Sequence, residues 1–313
     1  MEQYEHDLGR FWVAETHFRN MTVDEYASTA VRQLKRLNRP IRQLGVEMDF
    51  LPHRAFEVLR AGLPGTDIVN ANFVLEILRA IKTPAELALL RSASEKVVEA
   101  MLATFVHHGE ESTKYEIIET LRQEEAARGL AFEYALVNIG ANFNRSPSGE
   151  VWRRGEVLAL DSGGNYRGYI GDLCRMGFLG KPDAELVDLL GLIDSIQMAA
   201  RKPLRAGARG GDVYEQAMAI VNGSNLRESI DFVAHGMGII GHEAPWLSDK
   251  APVPYLAFHA DRPLQAGMVV SIETTLSHKS RGFIKLEDTV AVTADGCEGY
   301  GDQGRGWNAG RSQ

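Results

Sequence analysis

Two glutamates interrupt strand-like apolar runs in the last third of the chain: Glu273 in GMVVSIET and Glu287 in FIKLEDTVAVT. A carboxylate inside such a run is costly to bury unless it is paired or bound to a cation. Either these strands lie at a sheet edge with the glutamates in water, or the fold converges on them. Two more segments add to the demand. VLALDSGGNYRGYIGDLCRMG reads as an apolar strand ending at Asp161, a Gly-Gly turn, and a return strand carrying Asp172. A hairpin of that shape brings two carboxylates together, where they repel unless they share a proton or a cation neutralises them. Alone the pair is weak evidence, because aspartates beside glycine-rich turns usually bond their own backbone. FVAHGMGIIGHEAPW sets His235 and His242 among glycines that admit a close backbone approach. A neutral imidazole suits zinc, manganese, cobalt or iron, and a second can donate to developing negative charge. Either histidine alone reads equally as a satisfied structural residue.

The framework around these residues is legible from caps and periodicity. Thr22 with Glu25, Thr83-Pro84 with Glu86, and Thr113 with Glu116 each place a hydroxyl at a helix start and a carboxylate three residues on, predicting three capped helices. After Thr83 the apolar residues Leu87, Leu90, Val97, Val98, Met101, Leu102 and Phe105 recur near helical spacing, so that helix lies on a core. Gly129 is the expected stop of the third helix. Asp183 opens another, and Asp212 with Glu215 is read as the cap of a further one. Residues 1–80 read as a small α/β unit, with strands expected in IRQLGVEMDFL and after AGLPG. Residues 81–313 carry helices followed by many strands, an α+β pattern.

Composition narrows the function. At 313 residues, with 44% hydrophobic and 24% charged residues, the chain has enough apolar content for a sizeable core. A net charge of −8 leaves no basic surplus for phosphates, so neither nucleic acid nor an anionic membrane is expected as a partner. A short peptide or small molecule fits better. Cys174 and Cys297 are too few for a disulfide framework and read as reduced, packed thiols. No basic-then-apolar leader and no membrane-length apolar run is present, and the expected location is cytoplasmic.

Taken in order, Asp161, an aspartate eleven on, His235 in HGMG, His242 in HEAP, Glu273 in SIET and Glu287 in LEDT resemble the pita-bread metallopeptidase family. That family includes methionine aminopeptidase, aminopeptidase P, prolidase and the metal-free creatinase. LGVEMDFLP through ILRAIKTPAELALLRSA resembles the end of the creatinase-type N-terminal domain, which favours the aminopeptidase P and prolidase branch. The resemblance implies an α+β pita-bread catalytic domain over residues 81–313 and a partial α/β creatinase-like domain over 1–80, with a homodimer as the assembly. The N-terminal region is shorter than in that branch, which leaves open a truncated form or a sequence without its beginning. The resemblance further implies two divalent ions, most readily manganese, with cobalt, zinc or iron as alternatives. Asp172 and Glu287 would bridge them, Asp161 would complete one, and His235 with Glu273 the other. The implied reaction is Xaa-Pro aminopeptidase or dipeptidase chemistry: metal-bound hydroxide attacks a peptide carbonyl, Glu273 accepts a proton, and His242 steadies the tetrahedral intermediate.

Three positions depart from the proline-specific pattern. The upstream histidine is missing, its place falling on Asn144 or a near neighbour; Asp231 stands four residues before the metal histidine where a histidine is expected; and Lys285 replaces an arginine two residues before Glu287. An amide cannot shuttle protons as imidazole does, and lysine lacks the bidentate fork of arginine. A non-peptidase enzyme on the same site, a small-molecule lyase or C–N hydrolase, is therefore the alternative. A binding protein with a dead pita-bread domain ranks last, because all five expected ligands are present. Trp246, Arg145, Arg153-Arg154, Tyr166, Tyr169, Arg305 and Trp307 are weaker candidates, each with a packing or solvated-surface reading beside the functional one.

Overall fold

The computed structural model describes residues 6–9, 13, 15–17, 22–250 and 252–311. The chain divides into two compact units, Met1–Glu76 and Ile77–Gln313. In the first, Thr22 and Glu25 form the expected capping box of α1 (Val23–Arg36). β1 (Gln43–Val46), α2 (His53–Gly62) and β2 (Asp67–Asn70) follow, with the strands paired in parallel. Val31, Leu59 and Leu63 form its small core with Leu44, Val46 and Ile68. The next helix, α3 (Asn72–Ala80), runs across the division between the units.

The second unit opens with α4 (Pro84–His107) and α5 (Lys114–Ala127). Both starts carry complete capping boxes, at Thr83 with Glu86 and at Thr113 with Glu116, so amides without a helical partner are satisfied by side chains. After α5, Gly129 turns the chain at φ +79° into β3 (Ala131–Ile139), β4 (Val157–Tyr166) and β5 (Tyr169–Phe178). Then come α6 (Ala184–Arg201), capped by Asp183, and α7 (Gly211–Gly223). The remainder is β6 (Ile230–Gly236), β7 (Val269–His278), β8 (Gly282–Val292), β9 (Cys297–Tyr300) and β10 (Trp307–Ala309). One eight-stranded sheet runs β3-β4-β5-β8-β7-β6, with β10 beside β5 and β9 beside β8.

Both faces of this sheet are covered. Val97, Val98, Met101 and Phe105 of α4 and Ile117 and Leu121 of α5 pack with Leu158, Leu160 and Leu173. Ile193 and Ile196 of α6 and Val213 and Ala217 of α7 pack with Ala159, Met176, Ile272, Ile284 and Leu286. Strand alternation then puts Lys285 and Glu287 together on the face of β8 opposite Ile284 and Leu286. Among the described residues no helix is long and apolar enough to cross a membrane.

Three local expectations are corrected. The β4–β5 turn is not Gly163-Gly164 but Arg167-Gly168, whose φ values of +54° and +95° suit a two-residue hairpin. The two earlier glycines lie inside β4; a Cβ on Gly163 would stand 2.3 Å from the Tyr134 ring, so that glycine makes room for a side chain and not for a bend. Asp212 does not cap α7, which begins one residue earlier behind Gly210; its carboxylate accepts from the Arg209 amide at 3.2 Å and pairs with the Arg209 side chain. Asp161 does not stand where its strand ends: it is mid-strand in β4, while Asp172 lies on the return strand β5 and Glu273 and Glu287 inside β7 and β8, as expected.

Candidate active site

Strand register brings the distant residues together. Asp161 pairs with Cys174 and Gly163 with Asp172, so the two aspartates are diagonal neighbours across the hairpin. Cys174 also pairs with Glu287, Glu287 with Glu273, and His235 lies diagonal to Glu273 through Val233. β7 and β8 are interior strands, so the alternative of edge glutamates in water is excluded. Asp161, Asp172, His235 and Glu287 are buried, and the Glu273 side chain keeps 18% exposure. Ligand-type atoms of Asp161, Asp172 and Glu287 lie within 4.8 Å of one another, as do those of His235, Glu273 and Glu287 and those of Asp172, His235 and His242.

Hydrogen bonds orient the set. The His235 Nδ1 faces the Gly236 carbonyl at 3.1 Å. A carbonyl only accepts, so Nδ1 carries a proton, and in the neutral ring, the form that ligates a metal, Nε2 has the lone pair. That Nε2 is buried with no hydrogen-bond partner and lies 3.9 Å from one oxygen each of Glu273 and Glu287. Ser271 donates to Glu287 at 2.8 Å, and the Tyr134 hydroxyl donates to Asp172. Burial, with Glu287 and Asp161 close by, pushes the Asp172 carboxyl well above the usual carboxylate range. An uncompensated lone pair facing carboxylates across such a gap is the environment of a cation. The donor set therefore fits a divalent metal on the His235 side.

His242 stacks on His235, ring centroids 3.8 Å apart and 7° from parallel, and its Nδ1 is hydrogen-bonded to the Tyr255 hydroxyl. The loop carrying it is held close to the sheet. Glu243 and Gly236 bond through their backbones at 2.9 Å, and a Cβ on Gly236 would strike the Ala244 carbonyl carbon at 2.2 Å. Buried Glu243 pairs with buried Lys82 at 3.0 Å.

A cavity of about 350 Å³ opens over Asp161, Asp172, Glu273, Glu287 and His242. Tyr134, Arg145 and Lys285 also line it. Lys285 enters deepest: its ammonium lies 2.7 Å from Asp161, 2.6 Å from Glu273 and 2.8 Å from Glu287. Burial works against that charge, but the three carboxylates outweigh it and hold the lysine well above its usual pKa. Arg145 pairs with Asp161, its guanidinium over the Phe283 ring.

The departures noted in the sequence thus resolve differently. Asn144 caps its own turn, accepting from the Ser146 amide, and its neighbour Arg145 reaches the cavity instead. Asp231 is exposed on β6 and takes no part. Trp246 is buried and stacks on Tyr255, while Arg153 and Arg154 are exposed. Tyr166 packs partly buried against the core under α4, and Tyr169 donates to Glu86. Arg305 pairs with Asp288 and Asp194, and Trp307 donates to the Leu186 carbonyl. Tyr134 and Tyr255 went unsingled in the sequence. Tyr134 is detectable only through Gly163, whose missing side chain it replaces, and Tyr255 lies in a segment without periodicity.

Comparison with known proteins accords with this geometry. The sequence profile of metallopeptidase family M24 matches residues 88–294. Probable dipeptidase PepE of Mycobacterium tuberculosis is 29% identical over 238 residues, 73% of this chain and 60% of that protein. The chain thus spans about 60% of the length of that relative. The Xaa-Pro dipeptidase of Lactobacillus delbrueckii is 25% identical over 283 residues, 87% of this chain and 74% of that one. The X-Pro aminopeptidase structure from Thermotoga maritima superposes with a TM-score of 0.81 at 21% identity, covering 98% of this chain and 85% of that one. At that identity the likeness shows the fold, the pita-bread architecture.

Proposed function

The chain belongs to metallopeptidase family M24, and from that premise we propose that it is a divalent-metal-dependent peptidase that releases the N-terminal residue from short peptides with proline in second place. The observation that carries this reading is the buried His235 Nε2, whose lone pair faces Glu273 and Glu287 at 3.9 Å. Asp161, Asp172, His235, Glu273 and Glu287 are the proposed metal residues. By family resemblance they would hold two ions. Four carboxylates and one imidazole suit manganese, and also cobalt, zinc or iron. When bound, such an ion supplies Lewis acidity, which makes water nucleophilic near neutrality and polarises a carbonyl.

The chain's own groups complete the chemistry. Glu273, more exposed than its neighbours, takes the proton released by the attacking water. His242, facing the cavity and steadied by Tyr255, donates toward the carbonyl oxygen as charge develops there. The cavity volume suits a dipeptide or tripeptide end better than a long chain. The proline preference rests on the named activity of relatives such as the Lactobacillus enzyme. By family resemblance we also propose a homodimer, located in the cytoplasm.

A second reading, a lyase or C–N hydrolase acting on a small molecule, is favoured by Arg145, which enters the cavity beside the position where a proton-shuttling imidazole would be expected, and by Lys285, which stands there in place of an arginine. One panel separates the two. Manganese-loaded protein is offered Xaa-Pro and non-proline dipeptides and tripeptides, with Asp172→Ala as control. Metal-dependent Xaa-Pro cleavage that is lost in the variant is the expected result. No cleavage of any peptide by protein that holds metal would overturn the peptidase reading in favour of the second.

A further inference from the structure

We propose that the Lys285 ammonium permanently fills the second cation position of this centre, so that each chain takes one divalent ion, on the His235 side, and not two. The inference rests on the metal-binding reading above and departs from the pair of ions expected by resemblance.

The carboxylates divide their oxygens between two positions. Oε2 of Glu273, Oε2 of Glu287 and Oδ2 of Asp161 all face Lys285 at 2.6 to 2.8 Å. An ammonium has three N–H donors, so all three are used on groups that would otherwise ligate metal. The Oε1 atoms of the same two glutamates face the other way, toward His235 Nε2. Asp161 is doubly engaged, since Arg145 pairs with the oxygen that also meets Lys285. Tyr134 occupies one oxygen of Asp172. The Asp161 side is thus saturated by protein donors, while the His235 side retains a buried nitrogen with no partner.

Charge points the same way. With all four carboxylates ionised, as ligation of a metal requires, Lys285 and Arg145 leave an excess of two negative charges, which one divalent ion cancels. A second ion would leave the buried site with an equal positive excess, which is unfavourable in a low-dielectric environment. Lys285 is placed for this by the strand itself: it sits two residues before Glu287 on the same face of β8, opposite Thr275 and diagonal to Glu273 on β7.

The test is metal content of the whole protein after saturation with manganese and removal of free ion, read by elemental analysis and by electron paramagnetic resonance. Wild-type protein should hold one manganese per chain and give the six-line spectrum of an isolated ion. Two manganese per chain with an exchange-coupled spectrum would overturn the inference and leave the metal-binding reading intact. No bound manganese, cobalt, zinc or iron would overturn both. Folded Lys285→Met, checked by circular dichroism, should rise to two ions per chain; a count of one would show that Lys285 does not hold the second position. Lys285→Gln provides the same measurement should the methionine variant not fold.

Discussion

Glu125 shows how a single buried carboxyl links the site to pH. It lies on α5 with no exposure, and its neighbour is Ser162, adjacent to Asp161. The Ser162 hydroxyl has one proton, and the Tyr134 carbonyl at 2.7 Å can only accept it. The same hydroxyl stands 2.9 Å from Glu125, so its one proton is shared between the two acceptor oxygens. Burial, with Glu133 adding to it and Ser162 opposing, pushes the Glu125 pKa up to about 8. Because the folded pKa lies above the unfolded one, the stability this group contributes is complete below about pH 4.5 and is lost as pH rises to about 8. Glu125→Gln, which keeps a donor without the charge, should flatten that dependence. Above pH 8 it should be more stable than wild type, on the order of a few kcal/mol, in urea unfolding measured from pH 5 to 9. A variant that loses stability with pH as wild type does would show that Glu125 is not the group responsible. The sequence does not betray Glu125: it stands in a polar run, RQEEAAR, where a solvated helix face is the ordinary reading.

At the scale of elements, the β4–β5 hairpin sets the site, and its glycines matter for packing. Tyr134 of β3 lies over Gly163 and reaches Asp172 two strands away. Gly163→Ala would drive a methyl into that ring, so it should cost about 1–3 kcal/mol as an overpacked site does and displace the Tyr134 hydroxyl from Asp172. The checks are a chemical denaturation curve and the tyrosine ultraviolet difference spectrum. Wild-type stability with an unchanged spectrum would show that the strands relax freely there. Element starts were legible because a capping box is a local device written in four residues, as at Thr83 and Glu86. The turn lies at Arg167-Gly168 although Gly-Gly is the stronger local turn signal, and only tertiary contacts, Tyr134 of β3 against Gly163 and Val97 of α4 against Gly164, explain why those glycines lie in a strand. Asp212 differs for a related reason: its carboxylate is drawn to Arg209, and the helix starts two residues before the position an Asp212 cap would give.

For the whole molecule, the consequence of a buried centre with excess negative charge is that cation binding and folding are coupled. A ligand that binds only the native state raises stability by about 2.7 kcal/mol at a hundredfold excess over its dissociation constant. Manganese should therefore raise the unfolding temperature of the wild-type protein by several degrees, and chelator should reverse the shift. Glu287→Ala, which removes a carboxylate shared by both sides of the centre, should abolish the manganese response; a full response in that variant would remove Glu287 from the metal residues. By itself the sequence determined the helix starts at Thr22, Thr83, Thr113 and Asp183, the core-facing stripe of α4, the α+β class and five residues that line one cavity, Asp161, Asp172, His242, Glu273 and Glu287. It could do so because caps, periodicity and motif order are properties of short stretches of chain. Only the tertiary structure decided that Arg145 and not Asn144 enters the cavity, that Asp231 faces solvent, that Tyr134 and Tyr255 brace Asp172 and His242, and that Lys285 lies among three carboxylates. Those outcomes depend on strand register and on long side chains crossing between strands, which residues far apart in the chain settle only when they meet.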